Sequence, residues 1–156
     1  MAFTVPFSLD LQADFAAPAA RVFALLADVP ASAAHFPQVE RLQPLGDSTY
    51  RWQLHKLGGG RVSLQTVYAA RYRADRKALQ VQWQPVAGIG NARIGGSWTL
   101  QAQGRRTRAR LQLQGEIDVA LPGLMKPVVV PVVLRENERL VQQYLHNLAA
   151  HFAAGT

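Results

Sequence analysis

From Phe7 to Phe15 apolar and polar residues alternate: Phe7, Leu9, Leu11, Ala13 and Phe15 share one parity, Ser8, Asp10, Gln12 and Asp14 the other. A period of two belongs to a strand with one buried face. Pro18 then stands where a first helical turn tolerates proline, and Val22, Phe23, Leu25, Leu26 and Val29 form a helical stripe that Pro30 closes. The pattern predicts a helix over 18–29. The short Ala-rich segment from Pro30 to Pro37 predicts a second small helix at an angle to the first.

Between Gln38 and Leu121 alternation keeps returning, interrupted at Gly46-Asp47, Gly58-Gly59-Gly60, Asp75-Arg76, Val86 to Asn91 and Gly104-Arg105. These breaks predict a six-stranded meander. Leu79, Val81 and Trp83 alternate with Gln80, Gln82 and Gln84. The last strand is clearest, with Ala109, Leu111, Leu113, Gly115, Ile117 and Val119 facing one way and Arg108, Arg110, Gln112, Gln114, Glu116 and Asp118 the other. After Pro122-Gly123 a helical pattern starts near Pro127 or Pro131 and runs to Phe152. The order is β-α-α-β6-α, an α+β chain without linker or repeat, read as one domain over residues 1–156. Two helices separate the first strand from the meander. It can rejoin the sheet only as an edge beside the last strand, which predicts the spatial order 1-7-6-5-4-3-2.

On a helical wheel Val130, Val133, Leu134, Leu140, Val141, Tyr144, Leu145, Leu148 and Phe152 fall on one face, with Asn137 in its middle. A buried amide without partners costs about 1–3 kcal/mol, so Asn137 must bond a protein group, a water or a ligand. Tyr50, Trp52, Tyr68, Tyr72, Trp83 and Trp98 all sit at inward strand parity, as core filling or as the wall of a cavity.

Composition adds exclusions. With 49% hydrophobic and 17% charged residues over 156 positions, the chain is ordinary globular material. No apolar run approaches the roughly 18–20 residues of a membrane span, and the alternating start differs from a signal peptide, so the expected location is the cytoplasm. The absence of cysteine excludes disulfides, a thiol nucleophile and thiolate metal sites. The sequence has no phosphate-cradling GxxxxGK[ST], no dinucleotide glycine pattern and no GxSxG. His146 and His151 lie about 140° apart on a helix and cannot serve one ion, while His35 and His55 are left free to meet in space. Glu136, Glu138, Glu116 and Asp118 read as solvated charges. No catalytic residue, metal or cofactor is assigned.

The formal charge is +7. Successive turns of a meander alternate ends, so Gly46-Asp47, Asp75-Arg76 and Gly104-Arg105 share one end and gather Arg71, Arg73, Arg76, Lys77, Arg105, Arg106 and Arg108 there. The opposite end carries Gly58 to Gly60, Val86 to Gly90 and Leu121 to Met125, apolar and glycine-rich. Contact with an anionic membrane through Arg76, Lys77, Arg105 and Arg106 is one expected use of the basic end. Nucleic acid is not expected, because the aromatics face inward and no recognition motif is present.

The stretches LQADFAAPAARVFALLADVPASAAHFPQVERLQ (residues 11–43) and LRENERLVQQYLHNLAAHF (residues 134–152) resemble the START-like superfamily, also called SRPBCC or Bet v 1-like. Its polyketide cyclase/dehydrase and coenzyme Q-binding branches look nearer than the plant allergens. The resemblance implies a helix-grip fold, a seven-stranded curved antiparallel sheet around a long C-terminal helix, with a ligand cavity between them and an entrance framed by the glycine-rich end. The ligand-binding candidates are then Trp52, Tyr68, Trp83 and Trp98 from the sheet and Val133, Asn137, Leu140, Val141 and Tyr144 from the helix. The implied function is binding, sequestration or transfer of a small hydrophobic or amphipathic molecule such as a lipid, quinone or polyketide. The alternatives are a cyclase/aromatase or hydrolase in the same cavity, and an interaction module that uses the basic end on RNA or an anionic membrane.

Overall fold

The computed structural model describes residues 3–59 and 62–154. In chain order the elements are β1 (Phe3–Phe15), α1 (Ala19–Ala27), α2 (Val29–Ala33), β2 (Val39–Gly46), β3 (Thr49–Leu54), β4 (Leu57–Gly59), β5 (Val62–Leu64), β6 (Val67–Asp75), β7 (Gln80–Pro85), β8 (Ala92–Gln103), β9 (Arg106–Val119), a 3-10 turn (Gly123–Met125) and α3 (Lys126–Ala153). Seven strands form one antiparallel sheet in the order β1-β9-β8-β7-β6-β3-β2. This is the order that the connection rules demand. Together with the long C-terminal helix it makes the α+β helix-grip architecture.

Local chemistry explains where the elements depart from the pattern. β1 starts at Phe3 rather than Phe7 and pairs with β9 from Phe3↔Val119 to Phe15↔Thr107. Pro6 hides this extension, yet proline is tolerated there because β1 is an edge strand. α1 ends before Asp28, not at Pro30. Asp28 takes an extended backbone, and its carboxylate accepts the Ala31 N–H at 3.1 Å to cap α2. Pro30 therefore sits in the first turn of α2, where a missing N–H has no consequence, and Val29 leaves the α1 stripe.

The glycine run expected to be a plain turn is part of a ribbon, since β4 and β5 pair only with each other between β3 and β6. Gly60 of that run lies outside the described residues. Leu79 is not a strand residue: it occupies the β6–β7 turn at φ 53, and the strand begins at Gln80. The three turns expected at the basic end do share one end of the sheet.

α3 is 28 residues long and takes in both candidate prolines, Pro127 in its first turn and Pro131 within. Pro131 removes one hydrogen bond near a terminus where few exist. Val129, Val133, Leu140, Val141, Tyr144, Leu145, Leu148 and Phe152 are buried. Val130 is half-buried and Leu134 is exposed, against the wheel reading. Leu134 lies about 100° around the helix from Val133, and Val129 takes the inward place.

The interior is divided. One apolar cluster joins Phe15, Val22, Phe23, Leu26, Trp83, Trp98, Leu111 and the C-terminal half of α3 from Val141 to Phe152. A second joins Val5, Ala92, Ile94, Ile117 and Val119 to Val129 and Val133 in the N-terminal half. Tyr68 and Leu113 touch both clusters. Along α3 no residue between Val133 and Leu140 is buried, and this gap opens onto the space between the clusters.

Candidate functional site

The space between the clusters is a cavity of about 270 Å³. Small-molecule sites span roughly 300–1,000 Å³, so it suits a small guest. All nine residues singled out in the sequence line it: Trp52, Tyr68, Trp83, Trp98, Val133, Asn137, Leu140, Val141 and Tyr144.

Strand register builds the aromatic wall. Trp52 of β3 pairs with Tyr68 of β6, and their rings stack at 5.9 Å with planes 5° apart. Tyr72 of β6 pairs with Trp83 of β7 and stacks on it at 5.6 Å. The Trp52 indole N–H donates to the Tyr72 hydroxyl at 2.9 Å and links the two pairs. From the helix side Tyr144 lies 6.1 Å from Trp98, and Phe36, after α2, closes against Trp52 at 5.9 Å and Tyr144 at 5.2 Å. Cross-strand aromatic pairs of this kind stabilise the sheet by about 0.2–1 kcal/mol each.

Burial sets the tyrosine chemistry. It pushes the Tyr144 hydroxyl up to about 12, with hydrogen bonds to Ser32 and Trp98 pulling partly back. Burial likewise raises Tyr68 and Tyr72, and the indole of Trp52 offsets part of the rise at Tyr72. All three are therefore neutral at physiological pH and serve as hydrogen-bond donors. The Tyr144 hydroxyl is engaged by Ser32, and that of Tyr72 accepts from Trp52. Among the described residues the Tyr68 hydroxyl and the Asn137 amide have no hydrogen-bond partner. Neither is sealed in protein: both face the open cavity.

The exposed lining residues Gln38, His55 and Lys56 mark the mouth. Asn91 braces this end. Its Oδ1 accepts the Val67 N–H at 2.8 Å, and its Nδ2 donates to the carbonyls of Gln65 at 2.8 Å and Asp118 at 3.2 Å. Gly90 beside it has φ 73, and a Cβ there would meet the Val67 carbonyl oxygen at 2.1 Å, so only glycine fits.

Two carboxylates read as solvated charges line the cavity instead. Glu136 is paired with Arg139, and Asp118 accepts from Arg93 at 2.8 Å and from Thr4 at 2.8 Å. The Arg139 hydrogen bonds hold the Glu136 carboxyl below its usual value, and those from Arg93 and Thr4 do the same at Asp118. Carboxylates so held are ionised at neutral pH and poor proton donors. His35 and His55 do not meet: His35 faces His151 at 4.8 Å, and His55 lies 3.6 Å from Glu40. No group of three metal-ligating side chains occurs among the described residues.

Sequence reading missed Ser32, Phe36, Leu26 and the mouth residues Gln38, His55, Gln65 and Asn91. Most lie in short or irregular segments, where parity carries no direction; Leu26 was read only as part of a helical core stripe. At the basic end Arg71 pairs with Asp47 at 3.0 Å and Arg108 with Asp14 at 3.4 Å. Arg76 lies 5.8 Å over the Phe23 ring. Lys77, Arg105 and Arg106 make no ion pair with a described residue. No helix among the described residues is long and apolar enough to cross a membrane.

A search of curated protein sequences returns no match. Among solved structures the fold is similar to the Zhui aromatase/cyclase from Streptomyces sp. R1128, with 17% identity, 97% of this chain and 99% of that one covered, and a TM-score of 0.74. A START superfamily protein from Mycobacterium smegmatis gives 14% identity over 94% of this chain and 97% of that one, with a TM-score of 0.69. The di-domain ARO/CYC BexL from the BE-7585A biosynthetic pathway gives 17% identity and a TM-score of 0.62, covering 95% of this chain and 46% of that one. Residues 6–153 match the family described as polyketide cyclase / dehydrase and lipid transport. With nearly its whole length matched and the helix-grip sheet and helix in place, the chain belongs to this START-like family.

Proposed function

We propose that the chain binds a small hydrophobic or amphipathic molecule between the sheet and α3, to sequester or transfer it. The carrying observation is the pair of unpartnered polar groups, Tyr68 hydroxyl and Asn137 amide, in a cavity that divides the core and is walled mainly by aromatic and aliphatic side chains. An apolar guest that buries a few hundred Å² gains several kcal/mol at about 25 cal/mol per Å² before the cost of association. The neutral Tyr68 donates to a guest oxygen, and the Asn137 amide both donates and accepts. These needs fit a ring or chain bearing one or two oxygens, the chemistry of quinones, polyketides and many lipids.

The family description and the aromatase/cyclase neighbours support an alternative, cyclisation in the same cavity. Binding is favoured because both lining carboxylates, Asp118 and Glu136, are tied to arginines and held ionised, which makes them poor proton donors. Membrane contact through Arg76, Lys77, Arg105 and Arg106 has weaker support: Arg76 is engaged on Phe23, and among the described residues no cluster of exposed apolar side chains accompanies these cations.

The test uses the uncharged fluorophore N-phenyl-1-naphthylamine. Trp52, Trp83 and Trp98 line the cavity, so saturable one-to-one binding should quench tryptophan emission, and Asn137→Trp, which fills the cavity, should abolish it. Absence of saturable binding, with no co-purified molecule in native mass spectrometry, would refute the reading. Turnover of a reactive poly-β-ketone would establish the cyclase alternative.

A further inference from the structure

The start of α3 is built unlike the rest of the surface. Five large apolar side chains are exposed among the described residues, and four of them, Leu124, Val128, Val132 and Leu134, lie in one short stretch. Leu124 is 93% exposed, Val128 68% and Val132 43%. Their spacing of four residues sets these three in one stripe along the 3-10 turn and the first turns of α3. Beneath them Leu121 and Met125 are anchored on the cluster of Val5, Ile117, Val119, Val129 and Val133, so the stripe rides on packed structure.

Its charge is one-sided. From Leu121 to Arg135 there is no Asp or Glu, although the first turn of a helix ordinarily favours them. Lys126 and Arg135 are exposed and make no ion pair with a described residue, and Arg135 projects within about 20° of Val128 around the helix. One turn further on, the same helix lines the cavity with Val133, Glu136 and Asn137, while Lys56 stands exposed at the mouth.

We propose that this stripe is a docking surface for a bilayer containing anionic lipid. Leu124, Val128 and Val132 enter the headgroup boundary, Lys126 and Arg135 meet lipid phosphates, and the mouth of the cavity is brought to the membrane. A second copy of the chain is a poorer occupant. Three side chains make a patch of on the order of a few hundred Å², well short of the roughly 800 Å² per partner of a stable dimer, and a two-fold axis would bring like charges together. The proposal goes beyond the cavity reading, and docking needs no bound guest.

The test is co-sedimentation with vesicles of phosphatidylcholine alone or with about one quarter phosphatidylglycerol, at low and moderate salt. Wild type should partition onto the anionic vesicles. Leu124→Asp/Val128→Asp should lose at least about tenfold in partitioning, since charged side chains are excluded from the apolar boundary. Lys126→Gln/Arg135→Gln should weaken binding at low salt and matter less at moderate salt. Both altered pairs are exposed, and unchanged N-phenyl-1-naphthylamine binding in vesicle-free solution would report an intact fold and cavity. That readout also separates failure of docking from failure of the cavity reading.

No wild-type binding at low salt overturns the proposal, as does full binding by Leu124→Asp/Val128→Asp. Loss confined to Arg76→Ala/Lys77→Ala/Arg105→Ala/Arg106→Ala would assign the contact to the opposite end. A wild-type dimer in light scattering that Leu124→Asp makes monomeric would assign the stripe to a second copy.

Discussion

The side-chain hydroxyls of Ser32 and Tyr144 are hydrogen-bonded across the interior and tie α2 to the C-terminal half of α3. Both residues are 8% exposed. The tie is reinforced on either side, because the Asn147 amide donates to the His35 carbonyl at 2.9 Å and the His35 and His151 rings face each other at 4.8 Å. Positions 144, 147 and 151 lie on one helix face, so a single side of α3 grips the 32–36 segment and closes the cavity away from its mouth.

Tyr144→Phe should cost about 1–2 kcal/mol, because it leaves the buried Ser32 hydroxyl without its partner, and Ser32→Ala should cost less, because the Tyr144 hydroxyl keeps its bond to Trp98. The double variant should cost less than the sum of the two, as residues sharing a bond are coupled. Urea unfolding of the four proteins measures this; strict additivity would mean that the bond contributes nothing.

Asn137→Leu should change stability by less than about 1 kcal/mol, since no described protein group depends on the amide. The same change, or Tyr68→Phe, should lower affinity for an oxygenated probe such as a naphthoquinone about fivefold, roughly one hydrogen bond, and leave N-phenyl-1-naphthylamine binding nearly unaltered. A large loss of stability with unchanged binding per folded molecule would make the amide structural.

Alkaline pH should unfold the protein through its interior tyrosines. Burial holds Tyr144 up to about 12 and raises Tyr68 and Tyr72 as well, against about 10 in the unfolded chain. A group whose folded value is raised contributes stability that is complete below its unfolded value and declines as pH rises toward the folded one. Tyrosinate absorbance from three of the four tyrosines should therefore appear only together with loss of the circular dichroism signal. Reversible ionisation of more than one tyrosine near pH 10 in the folded protein would contradict the burial.

Gly96 keeps the cavity wall in position. A Cβ there would lie 2.3 Å from the Gln112 carbonyl oxygen and 2.9 Å from the Trp83 ring. Gly96→Ala should cost about 1–3 kcal/mol and weaken probe binding by displacing Trp83. Gly123→Ala, with open space around it, should be nearly neutral in thermal unfolding. Equal melting temperatures for the two variants would count against the close approach.

Periodicity determined the strands of the main sheet and the long helix, because a period of two or of 3.6 is a property of neighbouring residues, and the strand order followed because chain connections permit few arrangements. Inward parity also picked out Tyr50, Trp52, Tyr68, Tyr72, Trp83 and Trp98, of which all but Tyr50 line the cavity, and the polar Asn137 on an apolar face marked the gap in the core. Smaller features were hidden by single residues: Pro6 masked the start of β1, Asp28 ended a helix that seemed to run to Pro30, and Leu79 took a left-handed turn inside an alternating run. Only the tertiary structure decided which polar groups find partners. Ser32 and Tyr144 stand 112 positions apart, Arg93 reaches Asp118 across 25, and Asn91 joins segments from both sides of β6. Such bonds leave no local period to read. What they spare, the Tyr68 hydroxyl and the Asn137 amide within and the Leu124 stripe outside, becomes visible only when the chain is folded.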